Sequence, residues 1–76
     1  MFKAGWRFIY HDRYRRQIRG VIYRRIEKIG DGWYWYTEIY NAEKHHFERA
    51  SDFYGVFPSL DDAVAAANER RKRGRE

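Results

Sequence analysis

The stretch Gly30–Tyr40 decides the fold of this chain, and it reads GDGWYWYTEIY. Its opening Gly30-Asp31-Gly32 is typical of a tight hairpin turn, because these residues accept the positive φ angles that such turns need. The strand that follows is aromatic on both faces, since tryptophans at 33 and 35 alternate with tyrosines at 34, 36 and 40. An ordinary half-buried strand alternates apolar with polar residues. We expect the tryptophan face to be core and the tyrosine face to be open to solvent or to a partner.

The hairpin turn also suggests a register for the preceding strand. Residues 17–29 are rich in Ile, Val, Tyr and Arg and form one long strand candidate, which Gly20 interrupts as a bulge or a close backbone approach. If Asp31 and Gly32 are the two turn residues, Arg25 lies opposite Glu38, a favourable cross-strand pair of opposite charge. This register predicts that Tyr23 and Arg25 share the tyrosine face.

The rest of the N-terminal region extends the predicted sheet. Gly5–Tyr10 alternates like a strand, whereas His11–Arg16 lacks apolar periodicity and is interpreted as a basic loop. A polar turn over residues 41–46 leads to residues 47–57, which could hold a fourth, irregular strand.

The C-terminal segment has the pattern of a helix. Ser59 is a good N-cap, and acidic residues follow in the first turn, where they favour the helix dipole. An apolar stripe at helical spacing comprises Leu60, Ala63, Val64 and Ala67. We therefore expect one α+β domain over residues 1–76: an antiparallel sheet of three or four strands at about 5–57, with one helix at about 60–73 packed on one face. A basic tail covers residues 70–76.

Composition narrows the class of protein. At 76 residues the chain has room for one small core, and its 20% aromatic content compensates in part because large rings bury much area. It has no cysteine, which excludes disulfides and cysteine-based metal sites. No apolar run approaches the roughly 20 residues of a membrane span, and the N-terminus lacks an apolar signal core. We expect a cytoplasmic protein with no membrane partner.

The net charge of +5 conceals three blocks. Residues 1–30 carry nine Lys/Arg and two Asp/Glu, residues 31–69 carry two and eight, and residues 70–76 carry five and one. Such blocks favour a basic surface and an acidic surface on one small body. The alternative is that these charged side chains are simply solvated, because charge blocks along the chain need not form patches on the folded surface.

Catalytic and metal chemistry have little support in the sequence. The histidines are His11 and the adjacent pair His45-His46, and neighbours on a strand point to opposite faces, which is poor geometry for one metal ion. Gly30-x-Gly32 precedes a strand and not a helix, so it does not form a phosphate loop. We expect a protein that is not an enzyme and that uses no cofactor or metal.

Nucleic-acid binding has the most physical support. Arginines neutralise phosphates and release counterions, while tyrosine rings stack on exposed bases. Glu27 and Glu38 belong to the same face and would repel phosphate locally. The candidate binding residues are Tyr23, Arg25, Tyr34, Tyr36, Tyr40, Arg13, Arg15, Arg16, Arg19, Arg70, Arg71 and Arg73.

Binding to a protein is the main alternative, because Tyr, Trp and Arg are enriched in the cores of interfaces. The tyrosine face or an exposed sheet edge could seat a host protein, or a second copy of the chain in a homodimer. The acidic middle block, which includes Glu43, Glu48 and Asp52, could imitate phosphates and occupy a partner's nucleic-acid groove. The chain would then be a compact inhibitor or adaptor.

Two runs carry a resemblance to known domains: Gly32-Trp33-x-Trp35-x-x-x-Ile39 and Gly55-x-Phe57-x-Ser59-Leu60-x-x-Ala63-x-x-Ala66-Ala67. Through them, residues 17–70 resemble the three-stranded-sheet-plus-helix domains of the phage-integrase arm-binding and plant ethylene-response-factor type. The resemblance implies a sheet that reads DNA with the face opposite the helix. The tyrosines and glutamates of that face depart from those DNA readers, which rely on Arg and Trp.

In size and charge the chain also resembles phage-encoded inhibitors of host defence, such as anti-CRISPR proteins. The combined expectation is a small accessory protein of phage or mobile-element type. Its partner would be nucleic acid or a nucleoprotein complex, bound through the Tyr/Arg face, the basic loop and the basic tail.

Overall fold

A computed structural model describes residues 5–73, except for the side chains of Tyr10 and residues 69–73. The strands are Trp6–Tyr10 (β1), Arg13–Arg19 (β2), Ile22–Ile29 (β3), Gly32–Asn41 (β4), His46–Arg49 (β5) and Tyr54–Phe57 (β6), and the helix is Leu60–Arg73 (α1).

The strands form one antiparallel sheet. β1 to β4 lie side by side in chain order. On the edge of β4 that does not contact β3, β6 pairs with the first residues of β4 and β5 pairs with its last residues. The α+β class is therefore confirmed. The expected number of three or four strands is wrong, because the described residues contain six.

The arginine-rich segment after β1 is a strand, so the expected basic loop over His11–Arg16 is wrong. Only His11 and Asp12 turn the chain, with φ angles of 29° and 57°. β2 begins at Arg13 and pairs with β1 on one side and β3 on the other. Because arginines stand on both faces of β2, the segment has no apolar periodicity from which a strand could be inferred.

The expected long strand over residues 17–29 is likewise two strands. The chain turns at Gly20, whose φ angle is 54°, and β3 starts at Ile22. The irregularity in pairing lies between Gln17 and Arg19 and not at the glycine. Gly20 therefore serves a hairpin turn instead of a bulge.

The β3–β4 turn consists of Gly30 and Asp31, so the expected register is wrong by two residues. Ile29 lies opposite Gly32, and Arg25 lies opposite Tyr36 instead of Glu38. Gly32 is the first residue of β4, and β6 passes beside it. An added Cβ would collide with Cγ1 of Val56 and lie 3.0 Å from the carbonyl oxygen of Phe57. A shift of two residues preserves which side chains share a face.

The core lies between the sheet and α1. Ile26 and Trp35 form a buried cluster with Ala63, Val64 and Ala67 of the helix. The helix begins after Ser59, whose Oγ accepts a hydrogen bond from the backbone N–H of Asp62 at 3.1 Å. Further tryptophan, tyrosine, phenylalanine and leucine side chains pack around the cluster. The opposite side of the sheet, to which the tyrosines of β4 point, is called the open face below.

Candidate functional site

A row of arginines crosses the open face. Arg7 on β1 lies opposite Arg15 on β2 in the strand register, and Arg15 lies opposite Arg25 on β3. Arg25 in turn lies opposite Tyr36 on β4. Like charges directly opposite on neighbouring strands destabilise a sheet. The row therefore needs counter-charge from within the protein or from a ligand.

Glu38 supplies counter-charge to two members of this row. Its Oε1 lies 3.2 Å from Nε of Arg15, and its Oε2 lies 3.1 Å from Nη1 of Arg25. Glu38 is only 3% exposed. A carboxylate buried to this degree is tolerated only when ion pairs and hydrogen bonds compensate its lost hydration. Arg15 and Arg25 are therefore held in place before any partner arrives.

Glu27 organises the neighbouring part of the face. It pairs with Nε of Arg25 at 2.8 Å and with Nε of Arg13 at 3.6 Å. The hydroxyls of Tyr34 and Tyr36 donate hydrogen bonds to it at 2.6 and 3.3 Å. Burial, followed by the hydrogen bond to Glu27 and its negative charge, raises the pKa of Tyr34 to about 12, and burial also raises the pKa of Tyr36. Both hydroxyls thus remain donors at neutral pH.

Phe53 covers the two tyrosines that meet Glu27. Its ring stands edge-on to Tyr34 at 5.3 Å and to Tyr36 at 5.1 Å, measured between ring centroids. The guanidinium of Arg49 lies over the Phe53 ring at 4.7 Å. As a result Tyr36 is only 8% exposed. Tyr36 was expected to contact a partner, but its ring belongs to the interior of this cluster.

A second aromatic cluster occupies the other end of the open face. Phe47 of β5 stands edge-on to Tyr23 and Tyr40, with both centroid distances at 5.0 Å. The guanidinium carbon of Arg15 lies 3.7 Å from the centroid of Phe47. Arg15 is thus fixed both by Glu38 and by stacking on an aromatic ring.

Beside this cluster is a depression that we call the basic groove. Its volume is about 560 Å³, and it is lined by Gly5, Arg7, Arg15, Gln17, Tyr23 and Phe47. Arg7 is exposed, and its guanidinium forms no hydrogen bond or ion pair with the other described side chains. The groove therefore combines one arginine that is available to an anion, one arginine that is already oriented, and aromatic walls.

The structure brings together seven of the twelve expected binding residues. These seven lie on the open face: Arg13, Arg15, Tyr23, Arg25, Tyr34, Tyr36 and Tyr40. The expectation that Arg16 belongs to this site is wrong. Arg16 lies on the helix side of the sheet, where its Nη1 donates a hydrogen bond to Oδ1 of Asn68 at 2.7 Å. Arg19 is exposed opposite Ile22 at the end of β2. The side chains of Arg70, Arg71 and Arg73 are outside the described part of the structure.

Four of the six lining residues of the basic groove were not expected from the sequence, and two of them, Arg7 and Phe47, supply its exposed charge and an aromatic wall. Arg7 alternates with Trp6 and Phe8, and this pattern already separates it from the apolar face of β1. Phe47 had no comparable signal, because its place opposite Tyr40 depends on how the chain returns from β4 to β5. Only the sheet topology brings these two residues to the same depression.

An apolar corner lies at the opposite end of the open face. A depression of about 270 Å³ is lined there by Ile29, Tyr34, Phe53, Tyr54, Gly55 and Val56. Three of these side chains are well exposed, namely Ile29, Phe53 and Val56. The corner offers apolar contact and no charged group among its lining residues.

The described part of the structure offers neither a metal site nor a membrane-spanning helix. Within residues 5–73, the described histidine, aspartate and glutamate side chains form no group of three that could hold a metal ion. No helix in the described part of the chain has the length and apolar character needed to cross a membrane.

Comparison with known proteins identifies no relative. No family model matches the chain, and no curated protein or solved structure matches it.

Proposed function

We propose that this chain is a non-catalytic accessory protein, of phage or mobile-element type, that binds nucleic acid or a nucleoprotein complex through its open face. The proposal rests above all on Arg7, which has no ion-pair partner among the described side chains and lies beside Arg15 in the basic groove. Two arginines side by side at the surface cost the sheet stability. Phosphate provides the missing counter-charge, and arginine matches phosphate geometry well.

The charge balance of the open face supports the same function. Arginines at 7, 13, 15, 25 and 49 face two glutamates, Glu27 and Glu38, which leaves a net charge of +3. Both glutamates are engaged in ion pairs with these arginines. Their negative charge is thereby neutralised within the face, and the exposed Arg7 and Arg49 face the solvent.

The proposal is tested by removing one charge from the groove. Arg7→Gln should weaken binding of labelled oligonucleotides several-fold in fluorescence anisotropy. It should also reduce the slope of log affinity against log salt by about 0.7 to 0.9, which corresponds to one lost phosphate contact. Lys28→Gln is the matched control, because Lys28 is exposed on the helix side of β3 and carries the same charge.

Two outcomes would count against the proposal. The first is an absence of binding to any DNA or RNA at low salt. The second is an equal loss in both variants, which would mean that only the net charge of the protein matters and not the groove.

The alternative function is a protein-binding inhibitor or adaptor, and the apolar corner is the observation that favours it. Ile29, Phe53 and Val56 are 53%, 56% and 66% exposed. Clustered apolar side chains at a surface are typical of contact sites for proteins. Such a site would receive a host protein or a second copy of this chain.

A further inference from the structure

The basic groove is a depression of definite size that crosses several strands. It runs from Arg7 on β1 past Arg15 on β2 and Tyr23 on β3 to Phe47 on β5. Its volume of about 560 Å³ falls within the range of roughly 300–1,000 Å³ that is usual for ligand pockets. It is therefore of a size to hold a nucleotide unit of a longer strand.

The centre of the open face is poorly suited to reading a duplex. Direct readout requires side chains that are free to reach base edges in a groove of the double helix. Arg25 instead pairs with both Glu27 and Glu38, and Tyr36 is buried under Phe53. Phe53 itself is more than half exposed and covers the central tyrosines of the face.

The walls of the basic groove fit an unstacked base. In a duplex the faces of the bases are covered by their neighbours, whereas single strands stack their bases on aromatic rings and on arginine guanidinium groups. Tyr23 is half-buried at the groove wall, and Arg15 lies over Phe47. Because Glu38 holds Arg15 in place, little conformational entropy is lost when a base packs there.

We infer that the basic groove selects single-stranded DNA or RNA, with one base stacked against Tyr23 and the Arg15–Phe47 pair and the adjoining phosphate bound by Arg7. This inference rests on the proposed nucleic-acid function and adds strandedness and the contact residues. The shared chemistry is an unpaired base joined to a phosphate, which DNA and RNA strands both provide.

The first experiment uses the unmodified protein. Fluorescence anisotropy compares a labelled thymidine strand, a uridine strand of the same length, an abasic strand of the same length, and a duplex. The base-bearing strand should bind roughly 5- to 150-fold more tightly than the abasic strand, which is the range for one base–aromatic stack. The duplex should bind more weakly than the single strand, and the thymidine and uridine arms distinguish DNA from RNA as the preferred source.

The second experiment uses variants at the groove wall. Tyr23→Leu should bring the affinity for the thymidine strand close to that for the abasic strand without changing the salt slope, because no charge is removed. Tyr23→Phe should retain binding, since stacking uses the ring and not the hydroxyl. Phe53→Leu is the matched control, because it also replaces an aromatic ring with leucine on the open face, outside the residues that line the groove. Circular dichroism of each variant verifies that it folds.

The outcomes separate the two proposals. Equal affinity for the base-bearing and abasic strands, or tighter binding to the duplex, would overturn the single-strand inference. The nucleic-acid function would still be supported in that case if the affinity depended on salt. An absence of binding to all four probes would overturn both.

Discussion

At the scale of single residues, Glu38 stands out because it is a buried charged side chain on the open face. It is 3% exposed and contacts both Arg15 and Arg25. Because those arginines are direct cross-strand neighbours, the carboxylate between them removes a repulsion that the sheet would otherwise carry. Glu38 thus allows an arginine row to exist on a small sheet.

The stability of the sheet should depend on this carboxylate. Glu38→Gln should lower the free energy of unfolding by about 2–4 kcal/mol, because it leaves the half-buried Arg15 without its carboxylate partner and Arg25 with Glu27 alone. Urea denaturation measures the change. Glu48→Gln is the control, since the exposed Glu48 contacts Lys44, His46 and Asn41 at the surface, and its replacement should cost less than about 1 kcal/mol. Similar losses in the two variants would show that Glu38 does not have this role.

At the scale of elements, the β3–β4 hairpin distributes its glycines between two different tasks. Gly30 adopts a φ angle of 57° in the turn, and a side chain there would meet no other atom. Gly32 lies in the strand, where Val56 and Phe57 of β6 approach closely. The first glycine is required by backbone conformation and the second by the proximity of another strand.

These two tasks predict different responses to alanine. Gly32→Ala should destabilise the protein by about 1–3 kcal/mol through overpacking, and Val56→Ala in the same chain should restore part of the loss. Gly30→Ala should cost about 1 kcal/mol through backbone strain, and Val56→Ala should not restore it. Denaturant unfolding of the single and double variants provides the measurement. If Val56→Ala rescued neither variant or both equally, the assignment of Gly32 to the strand would be wrong.

At the scale of the whole molecule, the charge blocks of the sequence do not form separate surfaces on the open face. Glu38 comes from the acidic middle block, yet it lies between Arg15 and Arg25 of the basic N-terminal block. The antiparallel pairing of β2, β3 and β4 brings these segments together. What remains at the surface of the basic groove is therefore an excess of positive charge, located at Arg7.

The size of the apolar corner bears on the state of association. Stable interfaces bury at least about 1,200 Å² in total, and the three well-exposed side chains of the corner provide far less. We therefore expect sedimentation equilibrium to show a monomer over a wide range of concentrations. A concentration-dependent dimer that Val56→Lys abolishes would contradict this and favour the protein-binding alternative. Lys44→Ala, an exposed change elsewhere, should leave the sedimentation unchanged in either case.

Several features of the fold could be predicted because they are local. The alternation of Trp33 and Trp35 with Tyr34 and Tyr36 has the period of a strand, and it assigns side chains to faces without knowledge of any partner strand. Ser59 and the apolar stripe after it similarly indicate where a helix begins. These inferences depend only on nearby residues in the sequence: those two positions apart in a strand, or those within one turn of a helix.

The candidate site could be predicted only in part, because its chemistry depends on pairing between distant segments. Arg15 and Arg16 are adjacent in the sequence, and the sequence predicts equally for both that they bind phosphate. In the structure, Arg15 contacts Glu38 and Phe47 on the open face, whereas Arg16 contacts Asn68 of the helix. That difference arises from β2 being a strand between β1 and β3, which the periodicity of β2 alone could not indicate.

The sequence by itself therefore determined an α+β domain, the two faces of β4 and the start of the helix, since each follows from a short-range period or a capping residue. Tertiary structure decided the number of strands, the hairpin register and which arginines of the open face are paired among the described side chains. In the folded sheet Val56 lies against Gly32, and the Glu38 carboxylate contacts Arg15 and Arg25. Contacts between segments far apart in the chain have no period, and only the folded sheet specifies them.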